Sequence, residues 1–79
     1  MSDNPDQNGF PRRLRNLRTR LCWSQEDLAN QSGVSRKTIW NWEHGVTPRV
    51  TSKPIRRVAE VLRVTPGALI YGEENDGDA

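Results

Sequence analysis

Ser32-Gly33-Val34-Ser35 is the stretch on which the fold turns. Glycine adopts a left-handed backbone at little cost, so Gly33 can end one helix, and Ser35 can cap the next by accepting a backbone hydrogen bond. Such close spacing leaves room for a turn and nothing else. Upstream, Ser24 precedes Gln25-Glu26-Asp27-Leu28-Ala29. Asp27 stands three residues beyond Ser24 as an approximate capping box, and acids in a first turn suit the helix dipole. A short helix over about residues 24–31 follows. Downstream, a helix is predicted from Ser35 to about His44, with Gly45 stopping it.

Further outward, Leu14, Leu17 and Leu21 recur at three- and four-residue steps among arginines, behind Pro11, and predict a first helix over about 11–21. Val46 to Lys53 contains Pro48 and no helical period, and reads as a loop. Pro54 opens a fourth helix through Leu62 that turns Ile55, Val58, Ala59 and Leu62 inward; Thr65-Pro66 caps and begins a short fifth helix to about Tyr71. No strand of convincing length and no repeat is seen. The fold class is all-α, a compact five-helix domain over residues 10–71. Residues 1–9 are expected to be a flexible arm and residues 72–79 an acidic, disordered tail, since neither carries the apolar area needed to order itself.

Seventy-nine residues suffice for one small domain and leave no length for a second. Cys22 and His44 are the single cysteine and the single histidine, which excludes an internal disulfide and a zinc site of Cys/His type. Helix packing must hold the chain together. Apolar runs such as Ala68-Leu69-Ile70 fall far short of the ~20 residues that cross a bilayer, and Met-Ser-Asp-Asn-Pro-Asp lacks the features of a secretory signal. A reduced, cytoplasmic setting is expected, without membrane, metal or cofactor. The formal charge of +2 hides a strong division: all twelve bases lie within residues 10–71, which hold only four acids and so carry a net +8, while the two ends hold six acids and no base. A polyanionic partner is the simplest reading of such charge; a membrane surface or RNA would be attracted as well.

The run Gln25-Glu26-Asp27-Leu28-Ala29-Asn30-Gln31-Ser32-Gly33-Val34-Ser35-Arg36-Lys37-Thr38-Ile39-Trp40-Asn41-Trp42-Glu43 resembles the helix-turn-helix of the phage repressor and Cro (lambda repressor-like) family. Ala29 sits where two helices cross closely; Gly33 takes the turn; Val34, Ile39 and Trp42 pack inward and fix the crossing angle. The likeness extends from Leu14-Arg15-Asn16-Leu17-Arg18 to Val58-Ala59-Glu60-Val61-Leu62 and Val64-Thr65-Pro66, about 60 residues. In that family the second helix of the motif enters the major groove. On a wheel at about 100° per residue, Lys37, Asn41 and His44 form a stripe opposite Ile39 and Trp42, flanked by Arg36 and Trp40.

Arg36 and Lys37 can donate to guanine O6 and N7, and Asn41 can pair with adenine N6 and N7. The resemblance implies base contacts at Ser35, Arg36, Lys37 and Asn41, and a phosphate-holding, helix-bracing role for Gln25. Thr38 completes the same face. His44 can touch a phosphate or finish the last helical turn. Arg49 and Lys53 fall where relatives run along the DNA backbone, and read equally well as solvated surface. Arg12, Arg13, Arg15 and Arg20 read as equally good field-setting charges and are not taken as contacts. Trp40 is open to three uses: a thymine methyl or sugar, a stack on Arg36, or cover for a gap between helices. Cys22 replaces a glycine common in relatives at the end of the first helix, so that turn is expected to differ; Trp23 is expected in the core. The resemblance also implies that Glu43 pairs with Arg18 and locks the first helix onto the third.

The resemblance implies a sequence-specific transcriptional regulator of double-stranded DNA, a repressor that blocks polymerase as a homodimer on a palindromic operator. A controller of a restriction system, or the antitoxin of a toxin-antitoxin pair, would use the same domain. No carboxylate pair, metal cluster or phosphate loop points to an enzyme.

Overall fold

The computed structural model describes residues 9–72, which fold into five helices: α1 Phe10–Arg20, α2 Gln25–Ser32, α3 Arg36–Glu43, α4 Lys53–Leu62 and α5 Pro66–Tyr71. No strand occurs among the described residues. Of the arm read at residues 1–9 and the tail read at 72–79, all but Gly9 and Gly72 lie outside them; those two cap α1 and α5. Each helix boundary falls within a residue or two of its signal. Ser24 Oγ accepts from Asp27 N at 3.0 Å and Asp27 Oδ2 accepts from Ser24 N at 2.9 Å, a complete capping box. Gly33 ends α2 in the left-handed region at φ 76°, and Thr65 accepts from Ala68 N to start α5.

Cys22 takes the left-handed conformation itself, at φ 61°, and its N–H closes on the Thr19 carbonyl at 2.8 Å. Trp23 N–H, bonded to the Arg18 carbonyl, overrides the preference of a side chain against that region. The cost stays in the native state as local strain. Arg63 ends α4 in the same conformation at φ 65°.

Packing follows the apolar stripes. α1 lies against α3 and α5, α2 against α3 and α4, and α4 against α5, so α3 is gripped from two sides. Leu14, Leu28, Ile39, Ile55, Val58 and Leu69 are fully enclosed at the centre. Phe10, at the very start of α1, is buried too, its ring 6.0 Å from that of Trp42 and tilted by 59°. Trp23 packs on the edge of this core, half-buried. Arg13 is not a free-standing field charge: its Nε donates to the Leu69 carbonyl at 2.8 Å and Nη2 to that of Ile70 at 2.5 Å, fastening α1 to the negative end of α5.

Candidate nucleic-acid interface

α3 owes its position to three inward residues. Ile39 and Trp42 sink into the core, and Glu43, though charged, is buried with them. The Glu43 carboxylate is satisfied from two other helices: Arg18 of α1 donates from Nε to Oε2 at 2.7 Å and from Nη2 to Oε1 at 2.9 Å, while Gln25 Nε2 of α2 donates to Oε1 at 3.2 Å. Arg18 also donates from Nη1 to the Trp23 carbonyl at 2.9 Å, and the exposed Arg15 stands 3.9 Å from the carboxylate. Burial alone pushes the Glu43 carboxyl up, but the hydrogen bonds from Arg18 and Gln25 and the charges of Arg18 and Arg15 outweigh it and hold it below its ordinary value. The hydrogen bond to Glu43 raises Arg18 in turn, against its own burial. Gln25 thus occupies itself with Glu43, and a tie read from the sequence as joining two helices joins three.

The opposite side of α3 faces solvent. Arg36, Lys37, Trp40 and His44 are exposed and Asn41 is half-exposed. Arg36, Lys37, Trp40 and Asn41 line one hollow together, which puts Trp40 within the face rather than on its flank. Trp40 does not stack on Arg36; it stacks on His44, with ring centroids 3.6 Å apart and planes inclined by 15°. Arg36 also borders a second hollow with Arg18, Ser24, Gln25 and Glu26, so it links this face to the start of α2. Ser35 caps α3: its Oγ accepts from Thr38 N at 3.2 Å and donates to Thr38 Oγ1 at 2.9 Å. The Ser35 hydroxyl is committed to the helix, and the proton of Thr38 is left to donate outward.

On the other side of the turn, Lys53 and Arg57 line a groove with Ser35 and Thr38, and Arg56 continues the charge along α4 beside Lys53 and Arg57. Lys53 is therefore brought to the face; Arg49, exposed on the loop, lines neither of these hollows. Arg56 and Arg57 were missed in the sequence reading. The signal was present: they occupy the polar side of a helix whose other side is Ile55, Val58, Ala59 and Leu62, at three and four residues from Lys53. Described residues 9–72 carry a net +8, against +2 for the full chain. Among them no group of His, Cys, Asp and Glu is arranged to hold a metal, and no helix is long and apolar enough to cross a membrane.

Helices α2 and α3, set by a left-handed glycine turn and anchored through one buried carboxylate, define a helix-turn-helix protein. Residues 10–70 match the helix-turn-helix domain, and the chain belongs to that family. No match is found among curated proteins. Solved structures similar to the chain include FeII HppE in complex with substrate, 30% identical with a TM-score of 0.68, where the likeness covers 91% of this chain and 40% of that one. FeII HppE matches at 30% identity and a TM-score of 0.69 over 94% and 39%, and CoII HppE in complex with Tris buffer at 29% and 0.68 over 95% and 42%. The chain thus spans about two-fifths of the length of these HppE chains.

Proposed function

We propose that this protein is a sequence-specific, double-stranded-DNA-binding transcriptional regulator of the repressor and Cro type. It acts by occupancy: α3 enters the major groove, and a dimer on a palindromic operator blocks polymerase. The observation that carries the reading is the outward face of α3, where Arg36, Lys37 and Asn41 stand together while Ile39 and Trp42 anchor the other side. Donors of this kind match the edges of guanine and adenine in the major groove. Lys53, Arg56 and Arg57, across the turn, supply positive charge where a phosphate backbone would pass. The fold alone would not justify this conclusion, because its likeness in HppE lies within a longer metal-bearing chain. The face is what supports it.

Selection of duplexes from a random pool tests the reading. The expected outcome is an enriched palindrome whose half-sites are centred about 34 Å apart, bound by two copies in sedimentation. A pool that yields no enriched duplex overturns it.

A further inference from the structure

The proposed reading leaves Trp40 without a task. Four large apolar side chains stand exposed among the described residues, Leu21, Trp40, Val46 and Tyr71, and of these only Trp40 lies on α3. At about 100° per residue it falls about 40° from Arg36 and about 60° from Lys37, so it sits between Arg36 and the Lys37-Asn41-His44 stripe. The hollow it shares with Arg36, Lys37 and Asn41 has a volume of about 370 Å³, and more of its wall is carbon than polar atom.

The indole is also held in place. His44, one turn on, stacks against it at 3.6 Å. The imidazole is fixed in its turn, because Nδ1 lies 2.7 Å from the Trp40 carbonyl. A carbonyl can only accept, so Nδ1 carries the proton and donates it. The backbone N–H of His44 bonds the Asn41 carbonyl instead, which leaves the Trp40 carbonyl for the ring. Trp40 remains 48% exposed in this stack. An aromatic surface already immobilised loses little freedom when a ligand covers it.

We infer that Trp40 is a specificity-determining residue that reads the C5-methyl group of a pyrimidine in the major groove, with His44 as the residue that positions it. The inference rests on the DNA-binding reading of the same face. The major groove offers one apolar group on its base edges, the methyl of thymine, and 5-methylcytosine presents the same group at the same place. Arg36, Lys37 and Asn41 engage polar edges around it, and the indole buries the methyl between them.

The test uses the full chain and the enriched duplex, with each thymine replaced in turn by uracil, which deletes the methyl and keeps every hydrogen bond. One position in each half-site is expected to lose about fourfold in affinity, the value of one buried methyl group. At that position 5-methylcytosine is expected to bind more tightly than cytosine by a similar factor. Trp40→Ala, which removes a surface side chain and leaves the core intact, is expected to abolish both differences. His44→Ala is expected to shrink the thymine-to-uracil ratio although the indole is still present. Affinity that ignores uracil at every position, or a ratio unchanged in Trp40→Ala, overturns the inference while the DNA reading stands. Failure to enrich any duplex overturns both.

Discussion

Removing the Glu43 carboxylate separates the anchor of α3 from its reading face. In Glu43→Ala the Arg18 guanidinium loses both donors' acceptor and keeps only the Trp23 carbonyl, and Gln25 loses its partner. Breaking a buried pair by deleting one member costs about 3–5 kcal/mol, because the remaining charge is stranded. The Arg18 side chain is 11% exposed and retains one bond, so water and the carbonyl recover part of this, and the expected loss is at the low end, about 3 kcal/mol. At about 4–8 °C per kcal/mol for a domain of this size, the melting temperature should fall by roughly 12–24 °C. Urea unfolding gives the free energy directly. Arg18→Met alone and the double variant complete a cycle, in which the coupling should exceed about 1 kcal/mol, well above what an exposed pair gives. The pH dependence follows from the sign of the shift. Glu43 is held below its ordinary value, so its contribution is complete above the unfolded carboxylate value of about 4.3 and is lost as pH falls through the lower native one. The gap between parent and variant should therefore be constant near neutrality and close in acid. A loss under about 1 kcal/mol, or a gap that widens in acid, would refute the account of Glu43 as the joint of three helices.

Three further outcomes are expected. Log affinity for duplex DNA should fall linearly with log salt, at about −0.9 per phosphate neutralised, and a flat response in fluorescence anisotropy would count against the basic face. Asn41→Ala should cost roughly 1–3 kcal/mol on the enriched duplex and relax one base position, whereas Lys53→Ala should weaken enriched and random duplexes alike; equal losses on both duplexes in both variants would remove the division between reader and clamp. Cys22→Gly should stabilise by up to about 1 kcal/mol, since it relieves a left-handed side chain at the price of greater freedom in the unfolded chain; a lowered melting temperature would show that the Cys22 conformation is not strained.

The helices were legible because their punctuation is local. Ser24, Gly33, Ser35 and Thr65 act on backbone groups within a few residues, so the signal and its effect lie in the same short stretch. The turn at Cys22 was not, since the preference against a left-handed side chain is weak beside the hydrogen bonds made by Cys22 and Trp23 to the end of α1. At the site, the polar stripe of α3 could be read from its period. The partner of Trp40 could not: a stack at four residues' distance depends on which carbonyl the His44 ring captures, and composition carries no trace of that choice. For Gln25 the resemblance implied a brace on the recognition helix, but not that the brace would run to Glu43, eighteen residues away. Arg13 looked like any surface arginine until α5 brought two carbonyls to it, across 56 and 57 residues of chain.

The Arg13 clasp has a consequence for how the domain can be joined to others. Gly9 accepts from the Arg13 backbone at 2.7 Å, and a side chain at Gly72 would begin 2.8 Å from the Arg13 guanidinium, so residues 9 and 72 meet the same arginine. Residues 9 and 72 share one corner, and neither lines the hollow that Arg36, Lys37 and Asn41 share. A polypeptide joined at either residue would start from that corner, on the clasp between α1 and α5 and away from the α3 surface.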